Sequence, residues 1–405
     1  MKTRFLLPAV LVSGSLVAFL GHGLQANPNS AALALTPDVI VGDIHDHMVH
    51  GTAGGQTSYS FGSTSCNIGN EVLNWVSWNN QHPVIAGNIY RLKDGRFEQL
   101  GLNWLKHGFT ALNGTLCGSC QNTGGSTLGI GCSDPYSAYL NGFRSYLGPR
   151  SEVNSYNGYY PYPPILNPSY SGELARRIIV DNADVDPSQN AGARYFAEIQ
   201  YMTADDNAEI GNGSNNVSWR EISFSGSNAP FNVNFVGSTV REESAIMAWQ
   251  LIDPNVMISE VQLPNDGSVF VASRTTVKPG GGYAYDYTVY NRDCNRSVRA
   301  FLVPLTGNET LSNKMFTDVD YHSGEPYVNT DWQAYEGLFP GRSQKIQAWY
   351  GGTFGANPNN NALRWSTAYS MHFDSDTSGV LGQVALVPFK PGTGKIFYAN
   401  AVIPQ

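Results

Sequence analysis

The chain has 405 residues, a formal net charge of −8 and charged side chains at only 14% of its positions, against about a quarter in an average globular protein. An acidic chain without a basic cluster is repelled by phosphate backbones, which argues against nucleic acid as a partner. The missing charges are replaced by 43 Gly and 22 Tyr and by many Asn and Ser, the composition of a turn-rich surface wetted by amides and hydroxyls.

Residues 1–26 begin with Lys2 and Arg4, run through an apolar stretch from Phe5 to Leu20 and end in Leu24-Gln25-Ala26. That order is the layout of a secretory signal peptide, with cleavage after Ala26. The apolar stretch is shorter than the roughly 20 residues a membrane span needs, and no later segment reaches that length. The mature chain is therefore expected to be exported (periplasmic, surface-bound or secreted) and to have no transmembrane segment.

Residues 27–153 read as a β-rich, cysteine-containing region. Its first signal is Val39-Ile-Val41 followed by Asp43-Ile-His45-Asp-His47-Met-Val-His50. On an extended strand Asp43, His45 and His47 share one face, with the two imidazoles about 7 Å apart, a spacing that can hold one transition metal. The apolar strand ending in Asp-x-His-x-His resembles the opening of metal-dependent hydrolases of the amidohydrolase and related barrel families. The resemblance covers Asp43, His45 and His47 and implies a divalent metal that activates water. Those families also need a β/α barrel with further ligands at later strand ends, and the helical periodicity of such a barrel is missing here. A solvated strand end is the simpler reading of the same residues.

Glu71 to Asn80 fits a short helix. Ile89 to Leu92 and Arg96 to Leu100 flank Lys93-Asp94-Gly95 as a hairpin, with glycine where positive φ is required. Cys66, Cys117, Cys120 and Cys132 lie in this region and Cys294 stands apart. In an oxidising compartment four cysteines are expected to form two disulfides in one of three pairings; a four-thiolate zinc site is the alternative. Cys294 is expected to be a lone buried thiol. Trp104-Leu-Lys106-His107-Gly108 and Gly131-Cys-Ser133-Asp134-Pro-Tyr136 place acid–base groups near the cysteine loop.

Residues 154–172, rich in Tyr and Pro, read as an extended linker. Residues 173–405 read as a β-sandwich region, with a possible split near 265. Asp181, Asp184 and Asp186 present oxygens at close intervals in a loop, suited to calcium or to a solvated turn. Thr239-Val-Arg-Glu242 has capping-box spacing ahead of Ala245 to Ile252, a segment that fits a helix or a buried strand. Beyond Asp266 the two-residue alternation is clearest: Tyr283, Tyr285, Tyr287 and Val289; Val298, Ala300 and Leu302; Ile346, Ala348 and Tyr350; Tyr369, Met371 and Phe373. Asp318-Val-Asp320-Tyr-His322-Ser-Gly-Glu325 gathers carboxylates of the kind glycoside hydrolysis uses in pairs.

The predicted fold is all-β, built from antiparallel sandwiches. Three functions fit it. The first is non-catalytic binding of polysaccharide or cell-surface glycan, or a place in the cell envelope, with exposed Tyr and Trp rings facing sugars. The second is an extracytoplasmic metal-dependent hydrolase or lyase built on His45 and His47. The third is an architectural protein with calcium-pinned loops.

Overall fold

The computed structural model describes residues 36–339 and 343–405; the expected signal peptide lies outside them. The first half of the described chain carries β1 (Val39–Ala53), β2 (Gln56–Asn67), β3 (Leu73–Asn74), β4 (Val84–Lys93), β5 (Arg96–Leu102), β6 (Leu105–His107) and β7 (Thr127–Leu128). It continues with β8 (Ser133–Tyr136), β9 (Leu147–Gly148), β10 (Ile178–Asp181), β11 (Arg194–Met202), β12 (Val217–Ser225) and β13 (Asn232–Val240). The second half carries β14 (Met257–Gln262), β15 (Ser268–Val277), β16 (Tyr283–Asn291), β17 (Val298–Leu305) and β18 (Leu311–Thr317). Its last strands are β19 (Gln333–Leu338), β20 (Lys345–Tyr350), β21 (Thr367–Ser375), β22 (Gly379–Pro388) and β23 (Phe397–Pro404). Strand content of 47% against 5% helix makes the fold all-β, as its alternation predicts, and among the described residues leaves no helices for a β/α barrel.

The strands build two sandwiches. In the first, a sheet ordered β1-β2-β10, with β8 also on β2, faces a sheet ordered β13-β12-β11-β4-β6-β9, with β5 also on β4. Val41, Ile44, Tyr59 and Phe61 meet Ile85, Ile89, Ile199 and Phe224 in the core between them. In the second, β14-β15-β16-β21-β18 faces β19-β20-β17-β22-β23, and Tyr287 packs on Phe301 with ring centroids 5.2 Å apart.

The inner sheets of the two sandwiches also bury their outer faces against each other. Tyr90, Phe97 and Phe196 from the first and Phe270 and Tyr290 from the second form this joint with Trp249. Burial on both faces explains why β11 and β21 are buried along nearly their whole length, and each buried Phe contributes about 1.5–3 kcal/mol relative to exposure. Where the joint turns polar, a hydrogen-bond network crosses it, although Gln200 Oε1 and Trp219 Nε1 are buried without a partner. Arg150 Nε donates to the Asn103 carbonyl (2.6 Å) and its Nη2 to Asn88 Oδ1 (3.0 Å). Asn88 donates to Glu198 Oε1 (2.9 Å) and to Ser366 Oγ (3.0 Å), and the Ala368 amide donates to Gln99 (2.8 Å).

One local expectation changes and an open one is resolved. Glu71 to Asn80 holds β3 and turns rather than a helix, because Trp75 is buried and donates to Tyr136 Oη at 2.8 Å. Ala245 to Ile252 resolves as a helix over Met247–Ile252; the capping box does not form, since β13 runs to Val240 and Glu242 turns to φ 62°. Residues 154–172 run from β9 in one sheet of the first sandwich to β10 in the facing sheet. The hairpin forms as read, with Asp94 and Gly95 at φ 52° and 79°.

Candidate functional site

The histidine run does not converge. The β1–β2 register slips at Gly42, Asp46 and His50, and each bulge reverses the side on which later residues point. His45 pairs with Gly62 and His47 with Phe61, adjacent residues on β2 with opposite orientation, so the two imidazoles leave the strand on opposite faces. His47 lies edge-on to Phe235 at 5.3 Å. Asp43 accepts from Thr239 Oγ1 at 2.7 Å, and His50 Nε2 meets Ser60 Oγ at 2.7 Å. Among the described residues no group of three His, Cys, Asp or Glu side chains is placed to hold a metal. The likeness to barrel hydrolases ends with the sequence pattern.

The cysteines pair as Cys66–Cys117 and Cys120–Cys132, and Cys294 is a free, buried thiol. A β-carbon on Gly42 would lie 2.4 Å from the Cys66 sulfur and 2.8 Å from that of Cys117, so glycine lets this bridge cross β1 at its first bulge.

The aspartates of the proposed calcium loop part company. A helical turn over Asn182–Val185 interrupts the extended chain. Asp181 accepts from Gln56 (2.8 Å), Asp184 pairs with Arg91 (2.8 Å), and Asp186 caps its own turn through the Ser188 amide (2.8 Å). Asp181 and Asp184 reappear in the wall of a polar cleft of about 820 Å³ between the two sandwiches, facing Asp318, Asp320 and Asp331. Burial, opposed by a 2.6 Å hydrogen bond from Asn361 and aided by the charges of Asp331 and Asp320, pushes Asp318 up to about 6. Asp320 is raised by burial and by Asp331 and Asp181. His322 and Glu325 of the same run are structural: His322 Nε2 donates to the Leu102 carbonyl (2.8 Å), and Glu325 accepts from the Arg150 amide (2.6 Å).

A second cavity, of about 270 Å³, has aromatic walls: Trp78, Phe109, Tyr146 and Tyr162, with His107, Asn167 and Arg176 among its polar groups. Its size is just under the roughly 300–1,000 Å³ of most small-molecule sites. Trp78 is 73% exposed and sits at φ 66°, a conformation that costs a non-glycine residue about 1–2 kcal/mol. Two of the wall's rings are backed by Lys106, whose Nζ lies 4.3 Å from the Phe109 ring centre and 5.6 Å from that of Tyr146. Burial lowers Lys106 to about 7, against the charge of Asp134, and burial raises Asp134 to about 7. Lys106 and Asp134 thus sit behind the pocket while His107 lines it.

Sequence reasoning flagged His107 but not Trp78, which lay in the supposed helix, nor Tyr162 and Asn167, which lay in the supposed linker. The signal available was composition: Tyr, Pro and Asn crowded into residues 154–172. Among the described residues no helix is long and apolar enough to cross a membrane. No protein family matches the chain, and no curated protein shows significant similarity to it.

Proposed function

We propose that this chain is an exported glycan-binding protein that seats a sugar ring in the aromatic pocket. The observation that carries this reading is Trp78. Its indole gains little from burial and its backbone is held in an unfavourable conformation, so folding does not account for its placement, whereas an exposed ring at a cavity mouth is what the apolar face of a pyranose stacks on. Asn167 in the same lining offers an amide N–H to sugar hydroxyls, and two disulfides suit an oxidising compartment. An array of plant, fungal and bacterial polysaccharides tests this: retention on at least one polymer is expected, and its loss in Trp78→Ala. No retention on any polymer refutes the reading.

A second reading is favoured by the cleft. Asp318, raised to about 6, and Asp320, also raised, line the same cleft, and glycoside hydrolysis uses a pair of carboxyls of which one is held protonated. Release of reducing ends from a bound polymer, abolished in Asp318→Asn, is the outcome that would move the protein from binder to hydrolase.

A further inference from the structure

Two imidazoles at the aromatic pocket, His107 in its lining and His82 behind it, are hydrogen-bonded in series. Burial lowers His82 to about 4 and His107 to about 3, with Lys106 acting in the same direction on both, so both rings are neutral near pH 7. A carbonyl oxygen only accepts, so the 3.0 Å contact of His82 Nδ1 with the Val76 carbonyl places that ring's hydrogen on Nδ1. The bare Nε2 of His82 then accepts from His107 Nδ1, 3.0 Å away. By elimination Nε2 of His107 is an acceptor. A β-carbon on Gly148 would collide with this nitrogen, so glycine keeps a side chain off it.

The cation of the pocket is already engaged. Arg176 Nη1 donates to the Arg144 and Leu147 carbonyls (both 3.2 Å), and Nη2 donates to Asn167 Oδ1 (2.8 Å) and the Pro168 carbonyl (2.9 Å). Its guanidinium also lies between the Trp104 and Tyr170 rings, at 4.5 and 4.3 Å. An anionic group turned toward His107 would bring an acceptor to a bare nitrogen and find this guanidinium occupied.

We infer, resting on the glycan reading above, that the pocket selects neutral sugars, binding them through a hydroxyl that donates to Nε2 of His107 while the sugar face lies on Trp78. Uronates and sulfated sugars are turned away. The order of preference is set by hydrogen-bond polarity, not by net charge.

The test is a titration of the ¹⁵N-labelled full chain with cellohexaose, mannohexaose, chitohexaose and oligogalacturonate, following the imidazole nitrogens by long-range ¹H–¹⁵N correlation. A neutral hexasaccharide is expected to shift Nε2 of His107 and leave its Nδ1 protonated, and His107→Phe is expected to bind it about tenfold more weakly while keeping the tryptophan fluorescence change of stacking. Binding of a neutral sugar without a shift at Nε2, or preference for oligogalacturonate, overturns the inference and leaves the glycan reading intact. Binding of none of the four overturns both.

Discussion

Tyr290 of the second sandwich donates a hydrogen bond to Glu198 of the first, 3.3 Å away in a fully buried joint. Glu198 also accepts from Tyr90 (2.8 Å) and from the Ala245 amide (2.8 Å), and Arg150 ties the same region to Ser366. The two sandwiches therefore share one set of buried polar partners, and unfolding either exposes that set. Arg150→Met is expected to cost about 3–5 kcal/mol, the loss seen when one member of a buried charged network is removed. Urea unfolding followed by fluorescence is expected to show one transition in both proteins; two separate transitions in the wild type would show that the halves are independent.

The two disulfides close loops of different length, with sequence separations of 51 and 12. Loop-closure entropy then assigns about 4 kcal/mol to Cys66–Cys117 and about 3 kcal/mol to Cys120–Cys132. Paired Cys→Ser variants, compared by denaturant midpoint, are expected to rank in that order. Peptide mapping without reductant checks the pairing itself.

Acid–base behaviour should reveal two opposed sets of buried groups. Burial lowers His50, His82 and His322 to about 4 and His107 to about 3. Their contribution to stability is complete above the unfolded value of about 6.5 and is lost as pH falls toward those values. Burial raises Asp134 and Asp206 to about 7. Their contribution is present below an unfolded value of about 3.9 and is lost as pH rises through 7. Between pH 4 and 7 the two slopes oppose each other. The double variant Asp134→Asn, Asp206→Asn is expected to show a Tm that climbs with pH more steeply than the wild type. An unchanged slope in calorimetry would contradict the assignment.

If the carboxylate cleft is hydrolytic, Asp318 must be protonated to act as the acid. The rate is then expected to fall as pH rises through about 6, and Asp318→Asn is expected to remove that limb together with most of the activity. A pH profile that is flat across this range, with Asp318→Asn fully active, would take the cleft out of consideration.

The architecture was legible because a side chain facing a core recurs every second residue. Tyr285, Tyr287 and Val289 fall on β16 and Tyr369, Met371 and Phe373 on β21, as their alternation says. Pairings between distant segments were not legible: β4 joins β11 about a hundred residues away, and nothing local in either strand names the other. The shared face expected for His45 and His47 was lost at one residue. Asp46 enters the bulge at φ 52°, and a single inserted position sends His47 to the opposite face from His45. The aromatic pocket was hidden for a related reason, since Trp78, His107 and Tyr162 come from separate loops and strands that meet only through the fold.

Titration calorimetry of the wild type and Trp78→Ala, against whichever neutral oligosaccharide the array retains, bears most directly on sugar stacking at this pocket. The account predicts a Kd weakened by roughly 30-fold, about 2 kcal/mol for an aromatic anchor, with an unchanged Tm, because the indole is exposed in the free protein. Equal Kd values in the two proteins would contradict it.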